Sequence, residues 1–146
     1  MRLMPTVRKR SAMMLHRDIL KRKKVVYLVI APKLVRYKFG RSRIAYIGTT
    51  RKGADRVAPS AAYRAQEVFD RRGFRELDVH LVSCKGKPGK ATWWKVLEGA
   101  LLACFFREYM ELPLCNKRGP RRFSRAMSRF FRKERIEKIV RQFDAP

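Results

Sequence analysis

A tyrosine and an arginine lie ten residues apart in the middle of the chain, and both side-chain types suit chemistry on a phosphate. Tyr46 belongs to a short apolar run that Gly48 interrupts, and Arg56 follows near the start of an alanine-rich segment with helical spacing. A phenol exchanges a proton or orients a water, and a guanidinium binds phosphate oxygens. Whether the helix begins at Asp55 or at Pro59, Arg56 comes soon after the Tyr46 strand. We therefore expect the two side chains to lie close together.

A carboxylate and an amide follow later in the chain. Thr92 resembles a helix N-cap, and residues 93–112 form the longest helical pattern. Within it, apolar residues surround Glu98 at offsets of three, four and seven: Trp94, Leu101, Leu102 and Phe105. A buried carboxylate needs a cation, a hydrogen-bonding partner or a metal, so Glu98 is either a site residue or a structural residue that reaches solvent or pairs with an arginine of the fold. Asn116 is either a site residue or the cap of a turn, which is the commoner use.

Composition indicates one domain and a polyanionic partner. The 146 residues have 46% apolar content and a formal charge of +25, from 37 Lys and Arg against 12 Asp and Glu. Nucleic acid is the expected partner. No membrane span is expected, because Glu98 interrupts the longest apolar run, residues 97–106. Three widely spaced cysteines predict core thiols in a reducing, cytoplasmic compartment rather than disulfides: Cys84, Cys104 and Cys115.

The pattern of apolar residues predicts a small α+β domain between two basic ends. Val25–Ile30 reads as a buried strand that Pro32 stops, and a hairpin returns to a second strand at residues 44–47. A helix over residues 55–70 ends near Gly73, and Pro59 fits it only in its first turn. The remaining predicted segments are a basic arm (1–24), a half-buried strand (77–83) whose His80 is solvated, the helix over 93–112, and a basic amphipathic helix (120–146).

Taken in order, these residues resemble the GIY-YIG nuclease superfamily. The resemblance covers residues 25–119 and rests on Val25-Val26-Tyr27, Tyr46-Ile47-Gly48, Arg56, Glu98 and Leu114-Cys115-Asn116-Lys117-Arg118-Gly119. It implies a three-stranded antiparallel sheet flanked by helices. Tyr37 is a rival to Tyr27 for the first tyrosine, and Tyr63 stands near a further family position, although it follows Arg56 by seven residues rather than four.

The resemblance also implies roles for the site residues. One of Tyr27 and Tyr46, most often the first in the family, acts as general base or positions the water. Arg56 holds the phosphate, Glu98 ligates one Mg²⁺ or Mn²⁺, and Asn116 completes the set. A single protein carboxylate suffices, because magnesium keeps waters and takes its other ligands from the substrate phosphate.

Two functions follow as expectations. The first is a metal-dependent endonuclease acting on DNA, and the second is a non-catalytic nucleic-acid or ribonucleoprotein-binding protein on a nuclease-derived scaffold. In both, basic residues contact the phosphate backbone and make binding sensitive to salt. The candidates for those contacts are Arg51, Lys52, Arg64, Lys85, Lys87, Lys90, Lys117, Arg118, Arg121 and Arg122.

Overall fold

In the part of the chain that the structure describes, three antiparallel strands in the order β2-β1-β3 form one sheet, and three helices pack around it. A computed structural model describes residues 23–83, 92–119 and 130–145, which is the part of the chain considered below. The elements are β1 (Val25–Arg36), β2 (Arg41–Thr50), α1 (Ala54–Arg72), β3 (Asp78–Val82), α2 (Trp93–Tyr109) and α3 (Lys133–Arg141). The predicted α+β class with a three-stranded antiparallel sheet is confirmed. Among these helices, none is long and apolar enough to cross a bilayer.

Strand β1 is the centre of the fold because helices cover both of its faces. All residues from Val25 to Ala31 are buried, which explains the β-branched run in the sequence. Its even-numbered residues, such as Leu28, join the large core cluster with α2 and α3. Val25, Tyr27 and Val29 join a smaller cluster with Val57 and Ala61 of α1. The strand therefore separates an α1 side of the sheet from an α2 side.

A β-bulge in β2 directs Tyr46 to the α1 side. Val29 pairs with Tyr46, but Ile30 pairs with Ile44, so Ala45 is an extra residue on β2. A bulge changes which face the neighbouring side chains reach. Ala45 and Tyr46 therefore both pack on the α1 side, whereas Ile44 packs against α2.

The expectation that Pro32 ends the first strand is wrong. Strand β1 continues to Arg36, and its pairing with β2 is irregular between Ile30 and Val35. Pro32 lies in that irregular stretch, where its missing N–H removes no bond from a regular ladder. The sequence alone does not show this because the irregularity depends on the partner strand.

Two glycines with positive φ lie at the two ends of α1. Gly53 precedes the helix with φ of +81°, and Gly73 ends it in the left-handed region and donates its N–H to Phe69 O. The predicted end near Gly73 is confirmed. Pro59, expected in the first turn, lies instead at the sixth helical position and is exposed.

Helix α2 ends earlier than expected. Met110 adopts φ of +51° and donates its N–H to Phe106 O, so the helix closes at Tyr109 rather than at Leu112. Thr92 occupies the N-cap position, but its side chain makes no capping hydrogen bond. Cys104 and Cys115 are free buried thiols, as predicted, and Cys84 lies outside the described residues.

Helix α3 is part of the main core. Ile136 and Val140, together with Phe143 just after the helix, are buried in the cluster that α2 and the sheet form. Ion pairs join the two helices at their surface: Arg107 with Glu137 at 2.7 Å and Arg141 with Glu108 at 3.1 Å. The predicted basic arm up to residue 22 and residues 120–129 of the predicted C-terminal helix lie outside the described residues.

The packing of α3 predicts different effects for its two faces. Ile136→Ala removes a buried side chain and should lower the free energy of unfolding by about 2–5 kcal/mol. Arg135→Ala, its exposed neighbour, should change it by less than about 0.5 kcal/mol. Urea unfolding of both variants measures the difference. Equal small effects would show that α3 does not pack on the domain in solution.

Candidate phosphate-binding site

A polar cleft of about 550 Å³ lies between α1 and the end of the sheet where β2 leaves it. Its floor carries Tyr27 and Tyr46, whose ring centroids are 5.8 Å apart with the planes tilted by 44°. The structure thus brings together the two tyrosines and Arg56 that the sequence singled out. The lining residues are Tyr27, Tyr46, Thr49, Thr50, Arg51, Lys52, Arg56, Pro59, Ser60, Tyr63 and Arg64.

Gly48 allows the two tyrosine rings to approach each other. It pairs with Tyr27 across the sheet. A Cβ at this position would lie 2.5 Å from Tyr46 Cε1 and 2.8 Å from Tyr27 Cζ, closer than real Cβ contacts come. The position therefore requires a glycine because the two rings pack over its backbone. Its backbone conformation is ordinary and would not by itself require one.

Tyr37 is not part of this cleft. It packs on the α2 side against Phe105 and Tyr109, with ring centroids 5.0 and 5.7 Å away. Its hydroxyl donates to Ile44 O at 2.6 Å and accepts from Leu114 N at 3.3 Å. Tyr27 is therefore the upstream tyrosine that faces Tyr46, and Tyr37 holds the loop after α2.

The Tyr27 hydroxyl is held in its protonated form. Burial is the main cause that raises its pKa, and the neighbouring Tyr46 raises it further. A hydrogen bond with Ser60 and the charge of Arg64 oppose the shift without reversing it. The sequence analysis missed Ser60, although its position four residues after Arg56 places it one helical turn away on the same face.

Arg64 lies against two tyrosine rings. Its guanidinium carbon is 5.0 Å from the centroid of Tyr46 and 5.3 Å from that of Tyr63. Glu67 fixes the guanidinium through a 3.1 Å ion pair and also binds Arg71 at 3.0 Å. Partial burial lowers the pKa of Arg64, but the bonds to Glu67 and Tyr46 raise it overall, so the group stays charged.

Three further cations surround the mouth of the cleft. Arg51, Lys52 and Arg56 are exposed there, and none of them forms an ion pair with a carboxylate whose side chain the structure describes. Their charges are available to an anion. A phosphate that enters the cleft therefore meets positive charge and hydroxyl donors.

Glu98 lies on the other side of the sheet from the tyrosines. Helix α2 packs on the even-numbered residues of β1, and Glu98 does not line the cleft. The N-terminal part of α2 nevertheless lies at the same end of the sheet as the cleft, because Lys24 sits 5.0 Å over the ring of Trp94. Burial raises the pKa of Glu98 to about 7, and the charge of Lys95 only partly opposes the shift.

The donor set permits one mode of metal binding. Among the side chains that the structure describes, no group of three His, Cys, Asp or Glu residues could hold an ion. These residues therefore do not form a site in which protein side chains supply most of the ligands of the ion. Glu98 forms no ion pair among the same side chains, and a lone oxygen ligand fits Mg²⁺ or Mn²⁺, which keep waters and take phosphate oxygens.

Asn116 closes the outer edge of β2. Its Oδ1 accepts from Ile47 N at 2.9 Å, and its Nδ2 donates to Ile47 O at 2.8 Å. Cys115 N donates to Ala45 O on the same edge. The Asn116 side chain and the Cys115 backbone together fix the strand on both sides of Tyr46, and they satisfy backbone groups that an edge strand leaves open.

The other basic candidates fall into two groups. Lys117 and Arg118 are exposed directly after Asn116, outside the lining of the cleft, whereas Arg51, Lys52 and Arg64 line it. The remaining candidates lie outside the described residues: Lys85, Lys87, Lys90, Arg121 and Arg122.

Comparison of the chain with protein-family models, with curated proteins and with solved structures finds no match. The resemblance to the GIY-YIG nucleases is therefore carried by the residues of this chain alone.

The packing over Gly48 can be tested by adding one methyl group. Gly48→Ala forces both tyrosine rings to move and should lower the free energy of unfolding by about 1–3 kcal/mol. Gly119→Ala is the matched control, because its Cβ would meet only Leu112 Cδ2 at an ordinary 3.9 Å. Urea unfolding and near-UV circular dichroism report both effects. A Gly48→Ala protein that matches the control would rule out the close approach of the rings.

The raised pKa of Glu98 predicts a pH dependence of stability. The folded protein binds this proton more tightly than the unfolded chain, so the contribution of Glu98 is greatest below the ordinary pKa of 4.5 and is lost as the pH rises through 7. As the pH rises from about 5 to about 8, the free energy of unfolding of Glu98→Gln should increase by about 1–2 kcal/mol relative to that of the native protein. The effect is no larger because water still reaches part of the carboxylate. Parallel unfolding curves at the two pH values measure this. A constant difference would place Glu98 in an ordinary aqueous environment.

Proposed function

We propose that this protein is a metal-dependent endonuclease of the GIY-YIG type that hydrolyses phosphodiester bonds in DNA. One observation carries the proposal: Tyr27 and Tyr46, from neighbouring strands, converge over Gly48 in a cleft that Arg56 also lines. Phenols and an arginine in one cationic cleft are the groups needed to orient a water and bind a phosphate.

The burial of the two tyrosines indicates how they divide the work. Tyr27 is buried and its pKa is raised, so it acts as a hydrogen-bond donor at neutral pH. Tyr46 is half-buried and lines the cleft, with the guanidinium of Arg64 5.0 Å from the centroid of its ring. We therefore assign contact with the attacking water to Tyr46 and positioning of Tyr46 to Tyr27.

The cations supply binding and charge stabilisation. Arg56 at the mouth of the cleft would hold the non-bridging oxygens of the phosphate, and Arg51 and Lys52 would contact its neighbours along the strand. Glu98 would hold the single divalent ion, Mg²⁺ or Mn²⁺, which when bound supplies Lewis-acid stabilisation of the phosphoryl and leaving oxygens. Because the pKa of Glu98 is about 7, protons compete with the metal below neutral pH.

Binding without cleavage is the second candidate function. The observation that favours it is the placement of Glu98: none of the described lining residues is a carboxylate, and Glu98 belongs to the helix on the opposite face of the sheet. On this reading the cleft and the charge of +25 bind the backbone of DNA or RNA and no metal enters.

A metal-dependent cleavage assay separates the two functions. Purified protein should nick or cut labelled duplex DNA with Mg²⁺ or Mn²⁺ but not with EDTA. Glu98→Gln should lose at least about 100-fold in cleavage rate while its DNA affinity in EDTA is unchanged. Arg56→Ala should lose both cleavage and affinity, whereas Arg75→Ala, an exposed arginine away from the cleft, removes the same charge and should retain both.

The outcomes divide as follows. Unchanged cleavage by Glu98→Gln would remove the metal assignment. Tight binding by the native protein with no cleavage under either metal, on duplex and single-stranded substrates, would establish the second function. Equal losses for Arg56→Ala and Arg75→Ala would show that the cleft is not the binding site.

A further inference from the structure

The cleft contains a ladder of aromatic rings and one cation. Tyr27 lies 5.8 Å from Tyr46, Arg64 lies 5.0 Å over Tyr46, and Arg64 also lies 5.3 Å over Tyr63. The ladder begins at Tyr27, which is 3% exposed, and ends at Tyr63, which is 70% exposed. Its outer end is therefore open to solvent at the edge of the cleft.

The exposure of Tyr63 has no structural explanation within the described residues. It is the most exposed of the large apolar or aromatic side chains there, although rings of this size are mostly covered in folded domains. Its ring contacts the guanidinium of Arg64, which Glu67 holds in place. The stacking surface is thus formed before any ligand arrives, which lowers the entropy cost of binding.

The position of Tyr63 relates it to the phosphate-binding groups. Arg56, Ser60 and Tyr63 follow one another at intervals of four and three residues, so they lie on one face of α1. Arg56 and Tyr63 are about 10 Å apart along the helix axis, given a rise of 1.5 Å per residue. The Tyr63 ring is therefore within reach of a strand whose phosphate sits at Arg56.

We infer that Tyr63 is a stacking platform for an unpaired base, so that the cleft accepts single-stranded or locally unpaired nucleic acid. In a duplex both faces of each base are covered by its neighbours, whereas an unpaired base offers a free face to an aromatic ring. Cations for the backbone beside an exposed aromatic ring for the base are the combination that binds single strands. The inference rests on the proposed function only in taking Arg56 as the phosphate contact.

The experiment separates the base from the backbone. Fluorescence anisotropy in EDTA would compare the full-length protein on a single-stranded thymidine oligonucleotide, a uridine RNA of equal length, and an abasic oligonucleotide with the same phosphates. Tyr63→Ala should weaken binding to the base-containing strands by about 5- to 100-fold and leave the abasic strand unaffected. Tyr63→Phe, which keeps the ring, should bind as the native protein does. Phe39→Ala, an exposed aromatic residue away from the cleft, is the matched control.

Each outcome decides the inference. A Tyr63→Ala loss on DNA, on RNA or on both supports stacking and identifies the strand that the site prefers. No loss on either, or an equal loss on the abasic strand, overturns it. Arg56→Ala tests the proposed function separately, because it should weaken binding to the abasic strand as much as to the others. If Arg56→Ala has no effect, the phosphate site is wrong even where the Tyr63 result stands.

Discussion

The burial of β1 on both faces is the constraint on which the rest of the structure depends. A sheet of three strands has one central strand, and here helices cover it from each side. Seven consecutive residues from Val25 are buried, so every side chain on the strand must belong to one of two packed layers. The α2 layer is the larger and supplies most of the core. The α1 layer is smaller and contains polar groups, which leaves room for a cleft at the end of the sheet.

The candidate site depends on two local irregularities of β2. The bulge at Ala45 turns Tyr46 to the α1 side, and the missing side chain of Gly48 lets Tyr27 and Tyr46 occupy adjacent space. Asn116 then fixes this strand from its outer edge through both backbone groups of Ile47. Contacts to the backbone thus hold the site residues, which are far apart in sequence, in place. The side chains that could do chemistry therefore need few hydrogen bonds of their own.

Electrostatics distinguish the two faces of the sheet. On the α1 side, cations and hydroxyl groups meet at the cleft, and the carboxylate of Glu67 is engaged with Arg64 and Arg71. On the α2 side, Glu98 is half-buried with a pKa of about 7 and has no arginine partner in the described residues. The cleft therefore favours an anion by itself, whereas the carboxylate gains from a cation.

The sequence by itself determined the kind and order of the elements, the glycine that ends α1, the excess of positive charge and the closeness of Tyr46 to Arg56. These follow from local signals: β-branched runs, glycine conformations and helical spacing. Only the tertiary structure decided that Tyr27 and not Tyr37 faces Tyr46, that Glu98 lies across the sheet from both, and that Asn116 binds a strand edge. Strand register, a bulge and the packing of Ser60 and Arg64 against the tyrosines arise between distant segments, and no local pattern encodes them.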